Sequence, residues 1–129
     1  MSRETILVVD DEESIRKSLV DIFTDEGYEV LTAGSGAEGV EMLRKYQPAL
    51  AIIDVVLPGS DGIEILRQFK DARPAMPVIM ISGHGTVDIT VKAMKAGAAD
   101  FIEKPLTLTS IGHQSFNYAD PFVGPCFRR

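Results

Sequence analysis

Apolar residues follow two alternating patterns along this chain. Ile6-Leu7-Val8-Val9, Leu50-Ala51-Ile52-Ile53 and Val78-Ile79-Met80-Ile81 are unbroken apolar runs. Such runs suit strands covered on both faces, as in a parallel sheet flanked by helices. Glu29 to Ala33 is a weaker strand candidate that belongs nearer an edge, and Asp100 to Glu103 is the fifth strand. Between them, apolar residues recur at helical spacing: Ile15, Leu19, Ile22 and Phe23; Val40 and Leu43; Ile63, Leu66 and Phe69; Val87, Val91 and Met94. Gly27 and Gly97 are placed to stop the first and fourth helices, and Thr86 to cap the fourth.

Strands alternating with helices through short links predict an α/β fold, doubly wound on a five-stranded parallel sheet. Right-handed crossovers leave few topologies, and the flavodoxin-like strand order 2-1-3-4-5 fits five strands at this size best. That order sets the first and third strands side by side, with the ligand crevice beyond their carboxyl ends. Asp10 and Asp11 follow the first strand, and Asp54 ends the third. The three carboxylates are expected to meet there, with Ser82 and Lys104 arriving from the neighbouring strand ends. Glu12 and Glu13 are explained by the first turn of a helix, where acids favour the macrodipole.

Composition narrows the setting. With 129 residues, 45% hydrophobic and 25% charged, the chain supports one domain with a real core. No apolar run approaches the roughly 20 residues that span a bilayer, and the N-terminus lacks the apolar segment of a signal peptide. Cys126 is the sole cysteine, which excludes an intramolecular disulfide and favours a cytoplasmic location. A net charge of -6 argues against direct nucleic-acid contact, which normally shows a basic excess.

Three carboxylates in one crevice repel. At ~4 Å and an effective dielectric near 20, each pair costs about 4 kcal/mol. A proton or a cation must relieve this, and oxygen-only ligands favour Mg²⁺ or Mn²⁺. Lys104 offers a charge and Ser82 a hydroxyl to a phosphate in the same place. A carboxylate beside a metal and a lysine can act as a nucleophile toward phosphorus.

With Asp10-Asp11, Asp54 before Pro58-Gly59, Ser82 and Lys104-Pro105 at these spacings, Thr5 to Leu108 resembles the receiver domain of bacterial two-component response regulators (CheY-like). The run SGHGTVDITVKAMKAGAADFIEKPL looks most like the NtrC-type transcriptional activators. The resemblance implies that Asp54 accepts a phosphoryl group from a sensor histidine kinase. It implies that Asp11, Asp54 and the Val56 carbonyl hold Mg²⁺ while Asp10 acts through water. It implies that Ser82 and Phe101 are a switch pair, and that Lys104-Pro105 is a cis bond. In that subfamily an ATPase module and a DNA-binding module follow the receiver; neither is present in these residues. His84, two residues past Ser82, is either a further contact of the phosphoryl group or a plain loop surface residue; the sequence leaves both open.

Two rival readings exist. Gly34-Ser35-Gly36-Ala37-Glu38-Gly39 is a literal GxGxxG after a strand, with Asp54 20 residues beyond Gly34, the layout of a dinucleotide-binding Rossmann fingerprint. Against it, Glu38 stands where a pyrophosphate would sit. The other rival is a metal-dependent phosphatase with an aspartyl nucleophile; Val56 stands where many such enzymes have a second acid.

The receiver is expected over 1–110, with 111–129 an atypical C-terminal tail: a degenerate fifth helix, or a frameshifted or appended end. Gly112, Asp120-Pro121 and Gly124-Pro125 oppose a helix, whereas Phe116, Tyr118, Phe122 and Phe127 are too apolar for an ordinary tail. Such residues favour association and predict a homodimer.

Overall fold

The computed structural model describes residues 4–83 and 85–104. In chain order the elements are β1 (Thr5–Val9), α1 (Glu13–Asp25), β2 (Glu29–Ala33), α2 (Gly36–Tyr46), β3 (Leu50–Asp54), β4 (Val56–Leu57), β5 (Ser60–Asp61), α3 (Gly62–Ala72), β6 (Val78–Ser82), α4 (Val87–Lys95) and β7 (Asp100–Glu103). Five of the strands form one sheet in the order β2-β1-β3-β6-β7, every pairing parallel. This is the expected 2-1-3-4-5 order. Two-residue strands β4 and β5 form a separate antiparallel hairpin around Pro58-Gly59, which apolar patterning does not reveal.

The unbroken apolar runs supply both faces of the sheet. Leu7, Val9, Ala51, Ile53, Val78 and Met80 pack on one side with Leu43, Leu66 and Phe69 of α2 and α3. Ile6, Val8, Leu50, Ile52, Ile79 and Ile81 pack on the other with Leu19 and Phe23 of α1. Alternation persists in geometry although polarity does not alternate. Each such side chain contributes about 1.5–3 kcal/mol on burial.

Helix ends follow local chemistry. The Ser35, Asp61 and Thr86 side chains accept backbone N–H bonds at the starts of α2, α3 and α4. Gly27 and Gly97 take positive φ after α1 and α4. In α4 the Val87–Val91–Met94 stripe is the exposed side; Ala93 is the buried residue, with Ile89 and Ala96 leaning on the core.

No helix among the described residues is long and apolar enough to cross a membrane. His84, the Lys104-Pro105 bond, the expected fifth helix and the 111–129 tail lie outside the described residues.

Candidate functional site

The carboxyl ends of β1, β3, β6 and β7 border one cavity of about 300 Å³, lined by Asp11, Glu12, Asp54, Val56, Ser82, Gly83 and Lys104. Each position follows from the sheet. Asp10 continues β1, its N–H donating to the Ala33 carbonyl at 3.0 Å. Asp54 is the last residue of β3, beside Ile81 of β6. Ser82 closes β6 and is buried. Lys104 follows β7, and its backbone N–H donates to the Ser82 carbonyl at 2.9 Å.

The Lys104 side chain crosses the crevice. Its Nζ lies 2.7 Å from Glu12 Oε1, 3.1 Å from Asp54 Oδ2 and 3.1 Å from Asp10 Oδ2. Asp54 Oδ1 accepts the Val56 N–H at 3.2 Å, so Asp54 also stabilises the turn after it. Asp10 is fully buried; Oδ1 accepts the Glu12 N–H at 2.8 Å, while Oδ2 has the Lys104 ion pair but no aligned hydrogen bond. Burial pushes the Asp10 carboxyl above its ordinary range, and the charge of Asp54 adds to this; the Glu12 amide and Lys104 oppose it incompletely. Burial pulls Lys104 down, but its close contacts with the Glu12, Asp10 and Asp54 carboxylates prevail and raise it above its ordinary value.

One carboxylate oxygen from each of Asp10, Glu12 and Asp54 lies within 4.8 Å of the others. Sequence reasoning expected Asp10, Asp11 and Asp54 to converge. Asp11 is exposed and lines the cavity, but the converging trio holds Glu12 instead. Glu12 does occupy the N-cap position of α1, yet its side chain makes no cap bond and turns to Lys104. A third consecutive acid directly after a strand was the available signal. All-oxygen donors, net negative charge and a buried carboxylate oxygen lacking a hydrogen bond fit a hard divalent cation.

Gly62 was also missed. A Cβ there would overlap the Asp54 carbonyl oxygen and stand 2.6 Å from the Val55 carbonyl oxygen. The hairpin thus returns α3 against the backbone of Asp54 itself. Phe101 on β7 is half-buried, and a Cβ on Gly85 would come within 2.8 Å of its ring.

The GxGxxG has a packing explanation. A Cβ on Gly36 would meet Ile65 at 2.6 Å, and one on Gly39 would meet Val9 at 2.8 Å. The Gly34 N–H, available to a phosphate in a dinucleotide site, donates to Glu38 Oε1 at 2.8 Å. These glycines let α2 settle on β1 and α3.

Residues 6–114 match the family model of the response regulator receiver domain. An NtrX-like response regulator of Rickettsia felis is 44% identical over 107 residues, covering 81% of this chain and 22% of that protein. The chain thus spans under a quarter of the length of such curated relatives. The receiver domain of NtrX from Brucella abortus has a TM-score of 0.84 at 38% identity, covering 89% of this chain and 98% of that one. A CheY-like receiver from Methanospirillum hungatei has a TM-score of 0.89 at 32% identity, covering 93% and 96%. The NtrX-like relatives agree with the expected NtrC-type kinship. Sequence, strand order and crevice chemistry converge: the chain belongs to the response regulator receiver domain family, the phosphoacceptor signalling module of two-component systems.

Proposed function

We propose that Asp54 takes the phosphoryl group from the phosphohistidine of a sensor histidine kinase. The observation that carries this reading is the Lys104 ammonium, 3.1 Å from Asp54 Oδ2 in an acidic crevice that would otherwise repel an anionic donor. An Asp54 carboxylate oxygen attacks phosphorus. The O–P bond forms as the donor's N–P bond breaks, and the electron pair stays on the imidazole nitrogen. Asp11, Asp54 and the Val56 carbonyl would hold Mg²⁺, with Asp10 acting through water and Glu12 adding its charge beside them; Mn²⁺ would suit the same donors. The metal supplies neutralisation of the transferring group's charge. Lys104 pairs with a phosphoryl oxygen and the Ser82 hydroxyl donates to another, and Phe101 fills the space Ser82 vacates. Catalysis is limited to the domain's own phosphorylation and slow dephosphorylation.

The signal then passes to an output; a relative named as a nitrogen assimilation regulatory protein and another named as a probable transcriptional regulator support transcription control, which the NtrC-type kinship would place in ATPase and DNA-binding modules of a longer protein. This reading sets the domain in the cytoplasm, with no nucleic-acid or membrane contact of its own, and includes a homodimer as its associated form. Mass spectrometry after acetyl phosphate treatment tests the acceptor. One added phosphoryl group is expected with Mg²⁺, none with chelator and none in Asp54→Asn. Equal labelling of Asp54→Asn sinks the assignment.

A further inference from the structure

Arg16 lies in the first turn of α1, half-buried, and reaches back beneath the acidic loop. Its Nη1 donates to the Asp10 carbonyl at 2.7 Å. The same nitrogen is 3.5 Å from the position a Cβ on Gly34 would occupy, so the guanidinium sits between the end of β1 and the β2–α2 turn. The Asp10 N–H meanwhile donates to Ala33. Both backbone polar groups of Asp10 are therefore tied, one to β2 and one to α1.

This bond is not the one that charge alone would choose. Glu13 and Asp21 line the surface groove beside Arg16. Among the described residues Arg16 forms an ion pair with neither. Its donor is spent on a neutral backbone oxygen at the root of the acidic loop. Only Asp11 and Glu12 separate Asp10 from α1, so rotation at Asp10 carries its carboxylate with it. Oδ2 of that carboxylate sits 3.1 Å from Lys104 without an aligned hydrogen bond. The Glu12 N–H fixes Oδ1 at 2.8 Å, and the two backbone ties at Asp10 fix the loop that carries both groups.

We propose that Arg16 is a positioning residue for the cation site: by holding the Asp10 carbonyl it aims the acidic loop, and so sets the affinity for Mg²⁺. The proposal rests on the phosphoacceptor reading above. Residues that orient a metal's ligands typically account for 10–100-fold in affinity.

The test compares wild type, Arg16→Met and Arg16→Lys. Mg²⁺ is titrated against amide NMR shifts of β1 and β3, and acetyl phosphate labelling is timed at low and at saturating Mg²⁺. Arg16→Met is expected to weaken Mg²⁺ binding about 10-fold, while labelling at saturating Mg²⁺ recovers to within about threefold of wild type. Arg16→Lys should fall between, because an ammonium supplies a donor without the fork. Unchanged Mg²⁺ affinity in Arg16→Met overturns the proposal, even if its urea midpoint falls. If Arg16→Met does not fold, Arg16→Lys decides, and wild-type affinity there overturns it. Wild type that fails to bind Mg²⁺ overturns both readings; wild type that binds, with equal variants, overturns this one alone.

Discussion

Lys104 Nζ stands 3.1 Å from Asp54 Oδ2, although β6 separates the strands that carry the two residues. The lysine spans that strand because its backbone is anchored to Ser82 and its long stem lies across the crevice floor. Its ammonium touches Glu12, Asp54 and Asp10 together. It therefore serves as the internal counter-ion of the acidic cluster, at the place where a divalent cation would draw on the same oxygens.

Lys104→Met should accordingly separate stability from cation affinity. Removing one partner of a buried ion pair costs about 3–5 kcal/mol. Urea unfolding without metal should show a loss of that order, and Mg²⁺ should restore much of it. Mg²⁺ should also bind more tightly than to wild type, because no lysine competes. Weaker binding in the variant would show that Lys104 supports the cation instead of opposing it.

Affinity for Mg²⁺ should depend on pH through Asp10. Its folded pKa is raised by burial, so its contribution to stability is fully present below 3.8 and is lost as pH rises through the folded value. Lys104 is raised too, so its contribution is intact below 10.5 and is lost only above that. Between pH 5 and 8 the lysine does not titrate, and protonation of Asp10 opposes the cation. Calorimetric titrations should show Mg²⁺ binding weakening as pH falls toward the raised Asp10 value. Asp10→Asn should flatten the profile; an unaltered slope would assign it to another group.

Gly62→Ala should damage the site from behind. The new Cβ would overlap the Asp54 carbonyl oxygen, which is backbone and cannot swing aside. Overpacking of this kind costs about 1–3 kcal/mol, and more against rigid backbone. Thermal denaturation should show the loss, and labelling of the remaining folded protein should slow. A neutral Gly62→Ala would mean that the β4–β5 hairpin shifts freely.

Val56 should govern how long the acyl phosphate survives. It is 71% exposed at the cavity rim, two residues beyond Asp54, and has no group that can orient a water. Val56→Asp supplies a general base there, expected to speed hydrolysis at least about 10-fold. The decay of phosphorylated protein after donor removal measures it directly. An unchanged lifetime would exclude this position from water activation.

Much of this architecture was legible because three strands are apolar on both faces, a pattern few alternatives explain. Gly27, Gly97 and Thr86 marked helix ends through local chemistry, which needs no tertiary information. Glu12 was misread because its position suited a cap, whereas its side chain answers to Lys104, 92 residues away in sequence. The closeness of Gly62 to the Asp54 carbonyl exists only after the hairpin folds back. The stripe on α4 shows the converse: helical periodicity located Val87, Val91 and Met94 correctly on one side but not which side faces the core.

The crevice draws on the ends of four strands, with Asp10, Asp54, Ser82 and Lys104 far apart in the chain and the lysine last. During synthesis the carboxylates emerge long before their counter-ion. A nascent chain ending at Ser82 holds the whole acid cluster and the proposed acceptor, yet lacks the ammonium that draws them together. Among the described residues, the counter-ion of the acid cluster and the edge strand of the sheet therefore arrive in one event, the docking of β7.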